Sequence, residues 1–494
     1  MNRTLHELVD AFRHLRVLVI GEAMLDSYLS GEVGRLCREA PVPIVDVQGR
    51  HDVPGGAANT AMNVHALGAR VDFLSVVGTD LEADLLRQAL EAGGVDSRGL
   101  IAASGRRTLL KQRVTAGGQI LLRLDQGSTE ALEVRAEREL IEALEIAFIH
   151  ADVVIVSDYG YGVLTDRVIA TLRELQARHP RVLVADARRL ERYREVGVTA
   201  VKPNYPEACA LLGQEACVDD EARLEQMRRQ GPEVLRRTGA RMAAVTLDVA
   251  GGWVFERGQP PYRTYTHPAP NSAATGAGDT FVSALALALG VGAHAHQAAD
   301  LASAAARVVV GRAGTTACRA DELRGHIGAE RKLQDVPTLC ARLAYLRSQG
   351  RRVVFTNGCF DLLHRGHITY LNQAKALGDV LVVGLNSDDS IRRLKGPQRP
   401  INTLEDRAEV LAGLSCVDHI VAFDEDTPAR LIEQIRPEVY VKGGDYTLQT
   451  LPEAPLVLRL GGEVRLLPYL EDRSTSGIIE RVRQAYGGSG YAAR

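Results

Sequence analysis

Two histidines three residues apart, His364 and His367, carry the most specific chemical signal in the sequence. They follow an apolar, β-branched run that is typical of a buried parallel strand, and a turn is predicted at residues 356–358. The histidines are predicted to open the next helix, on one of its faces. Open α/β sheets bind phosphate where a strand end meets a helix N-terminus, since free backbone N–H groups point at the anion there. Two imidazole donors in that place could hold the oxygens of a reacting phosphate.

Two plainer interpretations of the histidine pair are an ordinary amphipathic helix and half of a metal site. A metal needs further ligands, and the single nearby Cys359 offers no recognisable zinc spacing. No residue is therefore assigned as a direct metal ligand. The whole string around the pair, rather than the pair alone, favours a phosphate site.

A second string, Ala-Thr-Gly-Ala-Gly-Asp-Thr-Phe at residues 274–281, runs into a predicted helix of small residues. Gly276, Ala277 and Gly278 leave successive backbone N–H groups bare at the helix N-terminus. The carboxylate of Asp279 stands beside them, so an anion hole adjoins a base. A hydroxyl deprotonated by Asp279 could attack a γ-phosphoryl group whose charge is held by these amides and Mg²⁺. The structural alternative is a glycine-rich cap on a tightly packed helix.

Polar residues near the first predicted strands suit a sugar. Asp26 follows the strand at residues 16–22, where a carboxylate can accept hydroxyl groups, although a simple turn residue is the plainer interpretation. Gly55 and Gly56 let the backbone approach a ligand closely. Asn59 can both donate to hydroxyl groups and accept from them.

Two prolines, Pro203 and Pro206, stiffen a loop after another short strand. They could hold Asn204 and Glu207, with Tyr205 between them, beside a nucleotide phosphate and its metal. The same pattern is equally typical of a helix start with an acidic residue in the first turn. Both interpretations stay open.

Strands and helices alternate through the first half of the chain. The apolar runs lie at residues 71–77, 153–158, 181–186 and 242–246. This alternation predicts an α/β fold with a mostly parallel, doubly wound sheet. Residues 108–125 alternate apolar and basic side chains around a Gly-Gly pair, which predicts a β hairpin that serves as a lid.

The second half repeats strands that end in polar or glycine residues. A buried strand ends at Asn386 and Asp388, which suit a nucleotide. Lys395 follows on a basic loop, Arg407 on a helix, and Lys442 at a strand-to-glycine junction. A basic loop is usually solvated, but one that faces a triphosphate would place charge where pyrophosphate leaves.

The composition is that of an ordinary globular protein, with 494 residues, 46% hydrophobic and 24% charged, and a formal net charge of −3. This length suggests two or three domains, and the near-neutral charge argues against general affinity for nucleic acid. Seven cysteines without a Cys-x-x-Cys pair argue for reduced thiols. The first apolar run is too short and too late for a signal peptide, and no stretch reaches the ~20 residues that span a bilayer. We therefore expect a cytoplasmic protein that does not enter a membrane.

The Gly-Gly-Ala-Ala-Asn segment, the Asn-x-x-Glu loop and the Gly-Ala-Gly-Asp string, in this order, resemble the ribokinase-like sugar kinases over residues 16–321. The resemblance implies a doubly wound sheet with a β lid. It implies Asp279 as the catalytic base, residues 276–278 as its anion hole and residues 204–207 at ATP. The residues that it places near the sugar are Asp26, Gly55, Gly56 and Asn59.

Three positions depart from that family. Ala273 stands where an acidic residue linked to monovalent-cation binding is usual, Tyr161 where close relatives carry lysine, and Ala187-Arg188 where they carry Pro-Lys. The base and the anion hole are intact. The departures weaken the case for K⁺ as a cofactor and for an efficient kinase.

The string Thr-x-Gly-x-Phe-Asp followed by His-x-Gly-His, with a later Ser-Thr-Ser segment, resembles the cytidylyltransferase-like nucleotidyltransferases over residues 351–482. The resemblance implies a smaller, Rossmann-like domain in which His364 and His367 stabilise the α-phosphate while pyrophosphate leaves. The nucleotide-binding residues that it adds are Thr356, Asn357, Gly358, Phe360, Asp361, Ser474, Thr475 and Ser476.

The two halves together are similar to the family of bifunctional heptose 7-phosphate kinases and heptose 1-phosphate adenylyltransferases. That resemblance implies phosphorylation of D-glycero-β-D-manno-heptose 7-phosphate at C1 by ATP with Mg²⁺. It further implies adenylyl transfer from ATP to the 1-phosphate, giving ADP-heptose for the lipopolysaccharide core. We expect a kinase domain at residues 1–328, a linker with a connecting helix at 329–349 and a transferase domain at 350–494.

The expected partners are small molecules, ATP and heptose phosphates, and a second copy of the chain paired through the kinase domain. The lid residues Lys111, Arg113 and Arg123 are candidate cations for the 7-phosphate. One alternative keeps both enzymes but changes the sugar phosphate, or changes the nucleotide to CTP. Another makes the kinase-like half a sugar-binding or dimerisation module, which Ala273 favours and the Gly-Ala-Gly-Asp string opposes.

Overall fold

The computed structural model describes residues 3–264, 276–310, 312, 314–329, 332–412, 414, 416–444 and 447–467. The chain divides into two compact units, Met1–Arg324 and Gly325–Arg494. Among the described residues, no helix is long and apolar enough to cross a lipid bilayer.

Among its described residues, the first unit contains thirteen strands and nine α-helices, and a tenth helix crosses its boundary with the second unit. The strands are β1 Arg16–Gly21, β2 Ala23–Leu36, β3 Pro43–Gly56, β4 Arg70–Val77, β5 Leu100–Ala102, β6 Leu109–Ala116, β7 Gln119–Gln126, β8 Val153–Asp158, β9 Val182–Ala187, β10 Ala200–Val201, β11 Met242–Thr246, β12 Gly252–Glu256 and β13 Tyr262–Thr264. The helices are α1 Leu5–Ala11, α2 Ala57–Ala66, α3 Leu81–Ala92, α4 Val134–His150, α5 Asp166–Arg178, α6 Tyr205–Leu212, α7 Asp220–Thr238, α8 Ala277–Gly290, α9 Ala295–Val310 and, at the boundary, α10 Ala320–Ala329.

Nine of these strands form the main sheet, in the order β13-β12-β11-β10-β9-β8-β1-β4-β5. The pairs from β11 to β5 are parallel, and β12, near one edge, pairs antiparallel with both β11 and β13. Helices α4–α7 pack on one face, and α8 packs against α2, α9 and the sheet on the other. Strands covered on both faces need apolar side chains throughout, which explains the continuous apolar runs in the sequence. The predicted doubly wound, mostly parallel sheet is confirmed.

The remaining strands form a four-stranded lid sheet in the order β3-β2-β6-β7. The predicted hairpin is confirmed, since β6 and β7 pair antiparallel on either side of Gly117 and Gly118. Both glycines have positive φ angles, 57° and 78°, which glycine adopts without strain. Asp26 lies inside β2 rather than past a strand end, because the chain leaves β1 and continues directly into the lid.

The second unit is a smaller α/β layer structure. Its described strands are β14 Leu333–Gln334, β15 Val353–Gly358, β16 Val380–Asn386, β17 His419–Phe423, β18 Val439–Gly443 and β19 Glu463–Leu467. Its further helices are α11 Val336–Ser348, α12 Arg365–Lys375, α13 Asp388–Lys395, α14 Leu404–Ala412, α15 Ala429–Ile435 and α16 Ala454–Arg459. The strands form one parallel sheet in the order β14-β17-β16-β15-β18-β19, as a Rossmann-like domain requires.

Two details of the second unit differ from the sequence predictions. The turn predicted at residues 356–358 is wrong, because these residues continue β15 and pair with β16 as far as Gly358. Residues 329–349 were expected to link the domains, whereas β14 pairs with β17 and α11 buries Leu339 and Leu343 in the core of the second unit.

Candidate active sites

The carboxylate of Asp279 lies at the centre of the polar site in the first unit. It sits in the first turn of α8 with 8% of the residue exposed. Nδ2 of Asn59 donates to one carboxylate oxygen and the hydroxyl of Tyr159 to the other, both at 2.7 Å. Burial raises the pKa of Asp279, while these two hydrogen bonds and the charge of Lys202 oppose the rise. A carboxylate held in this way can accept a proton from a bound hydroxyl group.

Asn59 reaches Asp279 because α2 begins directly after β3. Gly56 caps α2 with a φ of 58°, and a Cβ there would lie 2.7 Å from the carbonyl oxygen of Glu22. Nδ2 of Asn63, one helical turn further on, donates to Oδ1 of Asn59 at 3.2 Å. This contact turns the amide of Asn59 so that its N–H group faces the carboxylate.

Tyr159, which the sequence analysis missed, belongs to a loop that follows β8. The buried carboxylate of Glu22 accepts the backbone N–H groups of Tyr159 at 2.7 Å and of Val163 at 3.2 Å. Burial raises the pKa of Glu22 to about 7, and the charge of Asp158 adds to the rise. The loop is thereby fixed with the Tyr159 hydroxyl against the base. Its position just after a strand end was the available sequence signal.

The predicted anion hole forms the start of α8. Gly276 is the N-cap, with a φ of 85°, and Ala277 and Gly278 are the first two helical residues. A Cβ on Gly276 would lie 2.9 Å from Nδ2 of Asn59, so glycine is needed there for both its φ angle and its size. The first N–H groups of a helix have no intrahelical acceptor, and those of α8 are therefore available to an anion.

A buried ion pair beneath the anion hole was also missed. Nζ of Lys202 lies 3.0 Å from the carboxylate of Asp186. A Cβ on Gly278 would meet Nζ of Lys202 at 3.4 Å, so the ammonium group lies against the first turn of α8. Burial raises the pKa of Asp186 to about 7. Burial lowers the pKa of Lys202, but the charges of Asp186 and Glu207 outweigh it and raise that pKa overall.

The loop predicted at ATP starts a helix, which was one of its two open interpretations. Asn204 caps α6 and forms a capping box with Glu207: the N–H group of each donates to the side chain of the other at 2.9 Å. Pro206 lies in the first turn, where its missing N–H group is not needed. Tyr205 is only 3% exposed, and its hydroxyl donates to Gln226 at 2.5 Å within the core, which argues against contact between its ring and ATP.

Asp26, predicted near the sugar, is engaged by residues of the protein itself. Nη1 of Arg113 donates to one of its oxygens at 2.8 Å, and the Thr315 hydroxyl donates to the other at 3.1 Å. Both charged side chains of the pair are buried. A Cβ on Gly55 would come within 2.6 Å of the same carboxylate, so glycine leaves room for the pair. Arg113 is therefore neutralised before any substrate binds.

The other two lid cations differ from each other in their partners. Arg123 pairs with Asp125 at 2.5 Å. Lys111 has no carboxylate within 4.0 Å among the described residues, and its Nζ lies 5.4 Å from the ring centroid of Tyr159 and 5.9 Å from that of Tyr161. Burial lowers the pKa of Lys111. An anion bound beside it would favour its charged form.

The second polar site is the histidine pair at the start of α12. His364 is the N-cap rather than a helical residue, and its ring stacks on that of His367 with centroids 3.9 Å apart. Burial, the neighbouring His364 and the charge of Lys395 lower the pKa of His367 to about 4. Nδ1 of His367 is buried without a hydrogen-bond partner among the described residues. A neutral imidazole in this position can hydrogen-bond a phosphate group at the helix N-terminus.

The predicted residues at the end of β15 are held by hydrogen bonds to neighbouring elements. Oδ1 of Asn357 accepts from the Tyr440 hydroxyl at 2.8 Å and from Nζ of Lys442 at 3.0 Å. Burial lowers the pKa of Lys442. Thr356 is fully buried and shares a hydrogen bond of 2.6 Å with the Tyr370 hydroxyl. Asn357 and Lys442 are thus placed together, while Thr356 is part of the framework.

Phe360 packs against His367, and Asp361 binds the basic loop. The Phe360 ring lies 5.3 Å from the ring of His367, and a Cβ on Gly358 would come within 2.9 Å of it. Asp361 is buried and pairs with Arg399 at 2.7 Å. It also accepts the backbone N–H groups of residues 401 and 402 at 2.8 and 3.1 Å, so it anchors the basic loop.

Arg407 was expected to stabilise nucleotide charge, and the structure contradicts this. The residue is 1% exposed. Its guanidinium group donates to the carbonyl oxygens of Asn402, Cys359 and Asn386 at 3.1, 2.8 and 2.9 Å and to the carboxylate of Asp388 at 2.6 Å. Because its donors are occupied, Arg407 ties together the ends of β15 and β16, and Asp388 is its counter-ion.

Two predictions lie outside the described residues. One is the effect of Ala273 on monovalent-cation binding, and the other is the phosphate-binding segment Ser474, Thr475 and Ser476.

Comparison with known proteins matches both halves of the chain. The family model of pfkB family carbohydrate kinases matches residues 14–322, and the cytidylyltransferase-like model matches residues 355–481. The Bifunctional protein HldE of Geobacter sulfurreducens is 40% identical over 478 residues, which cover 96% of this chain and 96% of that protein. The protein of the same name from Pseudomonas aeruginosa is 41% identical over 477 residues, covering 96% and 98%.

The chain belongs to the HldE family. The chain matches these relatives over nearly their whole length, and its kinase-like region precedes its transferase-like region. This confirms the predicted enzyme class, a sugar kinase joined to a nucleotidyltransferase.

Solved structures confirm the fold of the first unit. Escherichia coli phosphofructokinase-2 in complex with potassium superposes with a TM-score of 0.52 at 19% identity, covering 63% of this chain and 97% of that one. Arabidopsis thaliana ribokinase complexed with ribose and ATP gives a TM-score of 0.50 at 19% identity, covering 63% and 98%. At this level of identity the likeness establishes the ribokinase-like fold alone.

The hydrogen bond from Tyr159 to Asp279 has a testable effect on pH dependence. The hydroxyl favours the charged carboxylate, so Tyr159→Phe should raise the pKa of Asp279. A base with a higher pKa is ionised only at higher pH. The acidic limb of the kinase kcat/KM profile should therefore move upward by roughly one pH unit, the equivalent of one hydrogen bond. An acidic limb at the wild-type position would show that Tyr159 does not tune the base.

Arg407 should matter for the stability of the second unit. Arg407→Met removes the buried guanidinium group with its hydrogen bonds and leaves Asp388 unpaired. This should lower the free energy of unfolding by roughly 3–5 kcal/mol. Urea unfolding of the full chain, followed through the transition of the second unit, measures this loss of stability. The matched control, Arg393→Met, removes an exposed arginine and should cost less than about 0.5 kcal/mol. Equal losses in both variants would contradict the structural role of Arg407.

Proposed function

We propose that the first unit transfers the γ-phosphoryl group of ATP to C1 of D-glycero-β-D-manno-heptose 7-phosphate. The second unit transfers AMP from ATP to the resulting sugar 1-phosphate once a separate phosphatase has removed the 7-phosphate. The products are ADP-heptose, a precursor of the lipopolysaccharide core, and pyrophosphate. The full-length likeness to the HldE relatives supports this assignment.

The position of Asp279 is the main support for the proposed kinase activity. Its carboxylate takes the proton of the C1 hydroxyl while that oxygen forms a bond to the γ-phosphorus and ADP leaves. The N–H groups at the start of α8 face the transferred group, where negative charge grows. Lys202 adds a fixed positive charge behind the same turn. The hydrogen bonds from Asn59 and Tyr159 hold the carboxylate in place for this step.

Mg²⁺ is proposed to enter with ATP. Among the described residues, no group of three or more His, Cys, Asp or Glu side chains could hold a metal ion. Mg²⁺ usually keeps its waters and binds through phosphates and one or two carboxylates, so it needs no larger cluster. The charges of Asp186 and Glu207 both act on Lys202, which lies against the first turn of α8, so these two carboxylates are the proposed ones. When bound, the ion would neutralise charge on the transferred phosphate.

The histidine pair carries the transferase half. The sugar 1-phosphate is already a nucleophile, so one of its oxygens can attack the α-phosphorus of ATP without a base, and pyrophosphate leaves. His364 and His367 would hydrogen-bond the oxygens of the reacting phosphate. His367 is neutral before binding, since its pKa is about 4, and a bound polyphosphate would favour its charged form.

The two activities should be separable by single substitutions. Asp279→Asn should lower kinase turnover on the order of 10²-fold or more and leave adenylyl transfer unchanged. His367→Ala should lower adenylyl transfer by roughly 10²- to 10³-fold and spare the kinase. Each variant carries its own control in the activity that it retains. A substitution that reduced both activities equally would contradict independent sites.

Lys111 is the proposed cation for the 7-phosphate. Its two competitors on the lid, Arg113 and Arg123, are already paired with carboxylates, whereas the half-buried Lys111 has no carboxylate within 4.0 Å among the described residues. Its ammonium group lies over Tyr159, whose hydroxyl contacts the catalytic base. A phosphate at the far end of the sugar would therefore meet Lys111 while C1 lies near Asp279.

Lys111→Met should raise KM for heptose 7-phosphate about tenfold or more, because a charged hydrogen bond is lost. KM for unphosphorylated heptose should stay unchanged, so the preference for the 7-phosphate should fall. Arg123→Met is the matched control, and it should have a smaller effect. An unchanged preference in Lys111→Met would remove this residue from the 7-phosphate site.

A homodimer through the lid is proposed from the edge strand β7. Its apolar residues Ile120, Leu122 and Leu124 alternate along the strand and share one face, with exposed fractions of 60%, 52% and 39%. β7 also ends the lid sheet, so its outer backbone groups have no neighbouring strand among the residues that the structure describes. A second lid with the same apolar edge is self-complementary to this one, as a twofold interface requires.

Leu122→Glu should shift the chain from dimer to monomer, because two buried carboxylates would face each other across the twofold axis. Light scattering after size exclusion measures the mass. Ile146→Glu, which changes an exposed apolar residue on α4, is the control and should leave the mass unchanged. A wild-type chain of monomer mass would contradict the proposal directly.

A further inference from the structure

Two of the seven cysteines, Cys209 and Cys217, meet at one tyrosine hydroxyl. Cys209 is a buried residue of α6, and Cys217 is a half-buried residue of the loop between α6 and α7. The backbone N–H group of Cys217 donates to the hydroxyl oxygen of Tyr205 at 2.6 Å. That hydroxyl donates to Oε1 of Gln226 at 2.5 Å, and Sγ of Cys209 lies 4.0 Å from the same acceptor. The two cysteines are therefore neighbours in space.

Both thiols, and not only the backbone, face this hydroxyl. Burial raises the pKa of Tyr205 to about 12, and hydrogen bonds of its side chain to the thiols of Cys209 and Cys217 add to the rise. Burial also raises the pKa of the Cys209 thiol, the hydrogen bond to Tyr205 opposes the rise, and the nearby Cys217 adds to it. Two sulfur atoms that hydrogen-bond one oxygen need only a small movement to reach each other. Both cysteines are free thiols in this structure.

The loop that carries Cys217 is able to make this movement. Residues 214–219 belong to no helix or strand. Side chains of α7 hold the loop through two carbonyl oxygens: Gln226 donates to that of Glu215 and Arg223 to that of Cys217, both at 3.0 Å. Segments held by so few contacts open at a low cost in free energy. The sulfur atoms of a disulfide lie about 2.05 Å apart, so the loop must bring Cys217 toward α6.

We propose that Cys209 and Cys217 form a reversible disulfide when the chain meets a peroxide. The thiolate of Cys217 attacks one peroxide oxygen; a sulfur–oxygen bond forms, the oxygen–oxygen bond breaks and one water leaves, which gives a sulfenic acid. The thiolate of Cys209 then attacks this sulfur, the disulfide bond forms and a second water leaves. The two thiols lose two electrons and two protons, and hydrogen peroxide is reduced to two waters. A dithiol restores both thiols by exchange.

The surroundings assign the order of the two steps. Solvent reaches Cys217, whereas Cys209 is only 3% exposed and does not meet an outside reagent. An attack within the chain needs no exposed thiol, because the reacting sulfur atoms are already held close together. The guanidinium group of Arg223 lies 5.3 Å from the ring centroid of Tyr205, and its charge favours the thiolate of Cys209.

The disulfide acts on the kinase site through Tyr205. A bond between the two sulfur atoms displaces the hydroxyl that both of them contact. Tyr205 is the first residue of α6, and its neighbour Asn204 forms the capping box with Glu207. A shift of Tyr205 therefore disturbs the start of α6, which is assigned to ATP and its metal. Oxidation should weaken ATP binding by the kinase, and this consequence alone rests on the proposed function.

Mass analysis of the full chain after treatment with hydrogen peroxide tests the disulfide. Remaining thiols are alkylated, and the chain is then cleaved after glutamate. Because Glu215 lies between the two cysteines, cleavage there gives two peptides that only a disulfide keeps joined. We expect joined peptides after peroxide, and separate alkylated peptides after dithiothreitol. Absence of a Cys209–Cys217 link after peroxide treatment would overturn the proposal, whichever sugar the kinase acts on.

Kinase assays before and after oxidation test the consequence. Oxidation should raise KM for ATP roughly fivefold, since a helix cap is disturbed, and dithiothreitol should reverse the change. Cys217→Ser should abolish the reversible change. The matched control is Cys37→Ser, which replaces a half-buried cysteine of the lid and should respond to peroxide as wild type does.

An equal and reversible rise of KM in Cys217→Ser would overturn the link between this disulfide and the kinase. So would an unchanged KM in a wild-type chain whose peptides are joined. Cys209→Ala supplies a second variant if Cys217→Ser fails to fold, which its thermal unfolding curve reports. It removes the second thiol of the same pair, so it should likewise abolish both the joined peptides and the change in KM.

Discussion

A parallel sheet delivers the carboxyl ends of its strands to one edge, and both candidate sites depend on this constraint. At that edge the chain turns into helices whose first N–H groups lack acceptors, so an anion site arises from the backbone itself. Asp279 in α8 and His364 beside α12 add the side chains that distinguish one reaction from the other. The chemistry differs because one site places a base next to the amides and the other places imidazoles there.

The kinase site contains several charged side chains with little exposure to solvent. Asp279, Lys202 and Glu22 are buried and Asp186 is partly buried, and burial raises the pKa of each carboxylate. Burying an ion pair seldom stabilises a fold relative to apolar packing. The Lys202–Asp186 pair is therefore best explained by its place behind the anion hole. The same argument gives Arg407 a different role, because its carbonyl and carboxylate acceptors all belong to the framework of the second unit.

The sequence was most informative where one contiguous string builds a site. Gly276 to Asp279 and His364 to His367 are such strings, since a helix start needs only a few neighbouring residues. Tyr159 and Lys202 could not be found this way, because they meet Asp279 and its anion hole through loops far away in the chain. Arg407 was misassigned because a sequence shows that a residue is charged but does not show its burial. The continuation of β15 to Gly358 depends on pairing with β16, which no local pattern reveals.

The central claim is that one chain carries two sites that act in turn on the same sugar. Mass analysis of the products formed from heptose 7-phosphate by the full chain tests it most directly, with ATP and CTP compared in parallel and a phosphatase added in a second step. With ATP we expect a heptose bisphosphate first and ADP-heptose after phosphatase treatment. Absence of the bisphosphate, or formation of a cytidine sugar in preference to ADP-heptose, would contradict the account.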